Sequence, residues 1–62
     1  MVDISLNTDG DSVTFSANSP AADLWMRAEY DDQHIVTFHY PSEVEDAKTF
    51  RARAEENGFT VG

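Results

Sequence analysis

Two runs of alternating apolar and polar residues flank one Asp-Gly pair, and this pattern constrains the start of the chain more than any other feature does. Val2, Ile4 and Leu6 alternate with Asp3, Ser5 and Asn7; Val13, Phe15 and Ala17 alternate with Ser12, Thr14 and Ser16. Period-two alternation marks a strand with one buried face. Asp9-Gly10 between the runs is a type I′ turn signal, because both central residues of that turn need positive φ. With Asp9-Gly10 as a two-residue loop, Leu6 faces Val13, Ile4 faces Phe15 and Val2 faces Ala17. All three apolar pairs then lie on one face, so turn and pattern agree on a hairpin over residues 2–17.

Asn18-Ser19-Pro20 breaks the pattern. Ser19 is suited to cap a helix with Pro20 in its first turn. Ala21, Leu24, Trp25 and Ala28 follow at i, i+3, i+4 and i+7, one helical face that places Trp25 in the core and leaves Met26 and Tyr30 as an exposed i,i+4 pair. Asp23 and Arg27 add a favourable i,i+4 ion pair. Leu24, Met26, Ala28 and Tyr30 also alternate as a strand would, and Glu29, Asp31 and Asp32 oppose the negative end of a helix dipole. Propensity and capping favour helix.

Residues 34–40 read as a strand, with Val36, Phe38 and Tyr40 on one face and Ile35, Thr37 and His39 on the other. Ser42-Glu43-Val44-Glu45 is a capping-box sequence. Val44, Ala47, Phe50 and Ala54 form the stripe of a second helix, which Asn57-Gly58 stops, with Phe59 packing back on Ala54. Residues 59–61 are expected as a last short strand. The fold class is therefore α+β: a small antiparallel or mixed sheet with helices on one face, in the order ββαβαβ. The alternative is a four-stranded meander plus one C-terminal helix.

The chain of 62 residues is expected to make one domain, 1–62. Apolar residues are 40%, enough for a core, but a chain this short is marginally stable without a staple. It has no cysteine, so disulfides are excluded and a homodimer becomes the expected support. Apolar stretches of only a few residues argue against a membrane span or a signal peptide, which points to the cytoplasm.

Catalytic and metal-binding chemistry finds little purchase. His34 and His39 point to opposite faces of a strand, so they do not converge on one metal. Asp32-x-His34 offers two ligands at most, and a polar turn entering a strand explains it; a metal or small-ligand site around Asp31–His34 is the least favoured reading. Asp9-Gly10-Asp11 lacks the glycine and glutamate spacing of a calcium loop. The three glycines are scattered, so no phosphate loop exists. No nucleophile motif is present, and carboxylates do catalysis only where a pocket separates their pKa values. Neither enzymatic activity nor a cofactor or metal is expected.

Charge is the outstanding feature. Twelve Asp and Glu against four Lys and Arg give a net charge of −8, which argues against direct contact with nucleic acid or an anionic membrane. Residues 1–46 hold ten acids and Arg27, for −9; residues 47–62 hold three bases and two acids, for +1. If each element crosses the domain and turns back, Asp9, Asp11, Glu29, Asp31, Asp32, Glu55 and Glu56 gather at one pole. Asp3, Asp23, Glu43, Glu45 and Asp46 then lie at the other.

In size, acidity and lack of cysteine the chain resembles the small inhibitors encoded by phages and mobile elements, the DNA-mimic and anti-CRISPR proteins. That resemblance implies a non-enzymatic inhibitor that occupies a basic, nucleic-acid-binding surface of a protein partner, in the host cytoplasm if phage-encoded. The seven polar carboxylates would supply the charge, and Met26 and Tyr30 the apolar contacts. The alternative is a small acidic accessory domain of a salt-adapted organism, with charge serving solubility.

Overall fold

The computed structural model describes residues 2–62. Five elements follow one another: β1 (Ile4–Asp9), β2 (Ser12–Ala17), α1 (Pro20–Glu29), β3 (Ile35–His39) and α2 (Val44–Glu56). The strands form one antiparallel sheet in the order β1-β2-β3. The fold is thus α+β, ββαβα. One expectation fails here, since residues 59–61 do not form a strand; the favoured helix after Pro20 does form, as Pro20–Glu29, which removes the alternative four-stranded meander. The C-terminal segment touches the sheet through a single parallel bridge, Val61 to Ile4. Ile4 donates to the Thr60 carbonyl and accepts from Gly62, and among the described residues no further rung forms.

The hairpin forms with its apolar set on one face, but its register differs from expectation. Asp9 pairs with Ser12, Leu6 with Phe15 and Ile4 with Ala17. The two loop residues are Gly10 and Asp11, not Asp9 and Gly10. Gly10 has φ +59° and Asp11 is not in the positive region, the pattern of a type II′ turn with glycine first. A type I′ turn at Asp9-Gly10 would force Asp9 to positive φ, whereas this turn asks it only of glycine. The shift moves each partner by two residues, so every side chain keeps its face.

The core lies between the sheet and the two helices. Ile4, Val13, Phe15, Val36 and Phe38 meet Ala22 and Met26 of α1 and Ala47, Phe50 and Ala54 of α2. Phe50 sits at the centre, its ring 4.5 Å from Phe15, 5.3 Å from Tyr30, 5.5 Å from Trp25 and 5.9 Å from Phe38. The other sheet face carries Ser5, Asn7, Ser12, Thr14, Ser16, Ile35, Thr37 and His39, none of them fully buried. The Thr14 and Thr37 hydroxyls share a 3.1 Å hydrogen bond there.

Helix α1 starts as expected: the Ser19 hydroxyl accepts from the Ala22 N–H at 3.2 Å, with Pro20 in the first turn. Its rotation is not the expected one. Met26 is fully buried, Tyr30 packs against the core, and Leu24 is 69% exposed with Ala21 and Ala28 exposed beside it. Of the expected buried stripe only Trp25 reaches the core, leaning on Phe50 and Phe59.

Helix α2 buries the expected stripe, with Val44 half-buried. Its capping box does not form. The helix begins one residue later than Ser42 could serve: Glu43 occupies the capping position and makes no side-chain cap bond. The Ser42 hydroxyl donates to the His39 carbonyl instead, and a Glu43 carboxylate oxygen accepts the His39 N–H at 2.8 Å. The far end closes as a Schellman motif: Gly58, at φ +88°, donates to Glu55, and Phe59 donates to Ala54 at 3.0 Å.

Candidate functional site

The antiparallel pairing of β3 with β2 decides where the charges go. Ser16 lies opposite Ile35 and Ser12 opposite His39. β3 therefore enters the sheet at the end where β2 leaves it. The Ala17 N–H donates to the His34 carbonyl at that same end. The connection through α1 thus starts and finishes at one end of the sheet and makes no net crossing. Helix α2 does cross: it leaves β3 at the hairpin tip, where Tyr40 donates to Asp11, and delivers Thr60 to Ile4 at the opposite end. Its 13 residues span about 20 Å, the length of a six-residue strand.

The expected single pole of seven carboxylates is consequently split. Asp9 and Asp11 stand at the hairpin-tip end. Glu29, Asp31, Asp32, Glu55 and Glu56 belong to the opposite end, with Asp3 and Asp23. What joins Asp9 and Asp11 is the start of α2: Glu43, Glu45 and Asp46, expected at the other pole. The sequence carried a usable signal. β3 alternates strictly between buried and exposed positions, the mark of a sheet covered on one face, and such sheets are antiparallel far more often than parallel. The length of the connection, residues 18–34, gives no help, because it suffices for either direction.

The two ends carry equal surplus charge but differ in compensation. Five acids and Lys48 at the tip end leave −4; seven acids and three arginines at the other end also leave −4. Every basic side chain is engaged within the chain. Arg27 holds Asp23 at 3.0 Å and Asp32 at 3.2 Å, Lys48 holds Glu45 at 3.4 Å, Arg51 holds Glu55 at 3.7 Å, and Arg53 meets Glu29. Hydrogen bonds that Arg27 donates, first to Asp23 and then to Asp32, hold it still more firmly protonated than an ordinary guanidinium. Among the described residues Asp3, Asp9, Asp11, Asp31, Glu43, Asp46 and Glu56 have no cation within salt-bridge distance. Asp46 lies in the first turn of α2, where the helix dipole favours it; Asp9 and Asp11 have no such local explanation.

Asp3 is held differently. The Thr60 N–H donates to its carboxylate at 3.1 Å, the Thr60 hydroxyl donates to the same oxygen, and the Asp3 N–H donates to the Thr60 hydroxyl at 2.9 Å. The backbone bond from Thr60 above all keeps the Asp3 carboxyl below its usual range. Partial burial pushes the Tyr30 phenol up. Met26 is enclosed by the core and has no surface with which to touch a partner, so the exposed Met26–Tyr30 pair expected from the sequence does not exist.

His34 and His39 are exposed at opposite ends of β3. Among the described residues no three His, Asp or Glu side chains stand together as metal ligands do, and no helix is long and apolar enough to cross a membrane. Comparison with protein-family models, with curated proteins and with solved structures finds no match to this chain.

Proposed function

We propose that the chain is a non-enzymatic protein-binding domain that docks its hairpin-tip end on a basic, nucleic-acid-binding surface of a partner, as an inhibitor of the DNA-mimic or anti-CRISPR type does. The observation that carries this reading is the combination at the tip. Among the described residues Asp9, Asp11 and Asp46 have no cation within salt-bridge distance, Glu43 and Glu45 stand beside them, and Lys48 is already paired with Glu45. A compact anionic end with its own bases spent is relieved by cations from outside. Glu29, Asp31, Asp32, Glu55 and Glu56 add long-range attraction from the other end rather than direct contacts, and Tyr30 contributes to the core.

The test is capture from a cell lysate by the immobilised domain, with elution by double-stranded DNA. The expected eluate is rich in nucleic-acid-binding proteins, and the Asp9→Asn, Asp11→Asn double variant loses them while staying folded. Capture that DNA does not compete, or that the double variant retains, contradicts the reading.

One observation favours a second reading. The surplus is −4 at both ends, and an even spread is what solvation of a salt-adapted surface needs. On that reading the domain unfolds in dilute buffer and folds as salt is added. A domain that remains folded at low salt argues for docking instead.

A further inference from the structure

We infer that the outer edge of β3 takes an extended, basic segment of a protein partner as a fourth strand of the sheet. The pairing with β2 fixes which main-chain groups of β3 face outward. Ala17 donates to His34 and Tyr40 donates to Asp11, so by alternation Val36 and Phe38 bond to β2, while Ile35, Thr37 and His39 turn their N–H and C=O groups to the other side. His39 follows this rule: its N–H meets the Glu43 carboxylate, and its carbonyl accepts from the Glu43 N–H and the Ser42 hydroxyl. Among the described residues nothing meets the main-chain groups of Ile35 and Thr37 on that side. They are spaced as an added strand requires.

Soluble proteins guard a strand edge with charge, proline or a covering segment. The β1 edge is covered at Ile4, which is bonded to Thr60 and Gly62. β3, reading Ile-Val-Thr-Phe-His, carries no lysine and no proline, and nothing lies along it before His39. Apolar surface gathers at the same place. Ile35 at 48% and Tyr40 at 39% are exposed at the two ends of this short strand, and Leu24 is the one other large apolar side chain exposed among the described residues.

Charge selects the occupant. Glu43 stands at one end of the edge, and Asp31 and Asp32 lead into it at the other. Among the described residues neither Glu43 nor Asp31 has a cation within salt-bridge distance. A second copy paired antiparallel along β3 would set Glu43 of each chain toward Asp31 and Asp32 of the other, between molecules that each carry −8. A segment with Lys or Arg toward its ends is attracted at both. The five residues of β3 span about 17 Å, so a segment of about six residues covers the edge. This inference rests on the proposed function for the basic character of the partner. What it adds is how the partner is held: by its main chain, beside the hairpin tip.

The probe is an end-capped peptide of about ten residues in which Lys and Thr alternate, titrated into the full chain and followed by nuclear magnetic resonance. The expected result is binding with a Kd of about 0.1–1 mM that slows hydrogen exchange of the Ile35 and Thr37 amides, and no binding of the same peptide with Glu in place of Lys. Thr37→Pro removes an N–H that β2 does not use, so the ladder to β2 remains, and it weakens binding at least about tenfold. Thr37→Val keeps that N–H and keeps the binding. A peptide that does not bind at about 2 mM overturns the inference. So does binding that leaves the Ile35 and Thr37 amides exchanging as in the free chain, or that Thr37→Pro leaves intact. Protection of these amides that grows with the concentration of the chain alone would make a second copy the occupant, and overturns it too. In each of these cases, DNA-competed capture that the Asp9→Asn, Asp11→Asn variant loses keeps the proposed function standing without this inference.

Discussion

Helices α1 and α2 cover the same sheet, yet their sequences fix their rotation very differently. In α2 the apolar side chains Ala47, Phe50 and Ala54 form one buried row, and nearly everything else is charged or polar. Only one rotation buries that row. In α1 apolar residues occupy positions 21, 22, 24, 25, 26 and 28, more than half of the circumference. Two rotations are nearly equivalent by hydrophobicity alone, and the neighbours choose between them. The unbranched Met26 fills the space between sheet and helix, Trp25 settles at the margin over Phe50 and Phe59, and Leu24 is left outside. A narrow stripe specifies a helix's orientation; a broad one specifies only that the helix packs.

The largest effect belongs to the residue both helices share. Phe50→Ala removes the ring that touches Phe15, Phe38, Trp25 and Tyr30 and costs about 3–5 kcal/mol, enough to unfold a domain of this size. Loss of the cooperative transition in urea, followed by circular dichroism, is the expected outcome. Next comes the contrast within α1. Met26→Ala costs about 2–5 kcal/mol, whereas Leu24→Ala changes stability by no more than about 0.5 kcal/mol. The reverse ranking in denaturant titrations would mean that the helix buries its other side.

Smaller effects distinguish the two helix ends. Gly58 closes α2 at φ +88° with open space around it, so Gly58→Ala is strained by its backbone alone and costs about 1 kcal/mol. α1 ends instead on Asp31 and Asp32, at φ 48° and 64°. Asp31→Gly removes one such strain and raises the thermal midpoint slightly.

The smallest effect is a pH response of the segment that follows α2. The Asp3 carboxyl titrates lower in the folded chain than in the unfolded one. Its contribution is whole above the unfolded value, near pH 4, and fades as pH falls through the lower folded value. Thr60→Val removes the hydroxyl bonds but keeps the backbone one, so acid sensitivity of the Thr60 amide's hydrogen exchange is reduced, not abolished.

Much of the fold is legible in local pattern. The hairpin faces, the Ser19 start of α1, the alternation of β3 and the Gly58 stop of α2 are each dictated by a few neighbouring residues. Direction is carried only by the one-faced alternation of β3, which favours antiparallel pairing without dictating it. Nothing between Asn18 and His34 says whether β3 returns beside β2 running with it or against it, and the grouping of carboxylates depends on that alone. Asp9 and Asp11 stay at the hairpin tip in either case. Their companions change from Glu29, Asp31, Asp32, Glu55 and Glu56 to Glu43, Glu45 and Asp46. The Ser42 capping sequence also hides the role of Glu43, whose carboxylate turns back to accept the His39 N–H instead of leaving Ser42 to cap the helix.

The direction of β3 is therefore the claim to measure. In the observed register the hydrogen-bonded pairs include Ala17 with His34 and Tyr40 with Asp11, so by alternation Thr14–Thr37 and Ser16–Ile35 are close, non-hydrogen-bonded pairs. Nuclear Overhauser spectroscopy should show α-proton cross-peaks for both pairs. Their absence, with contacts instead joining Ser12 to Ile35 and Ser16 to His39, would mean that β3 runs parallel to β2 and that the carboxylates share one pole after all.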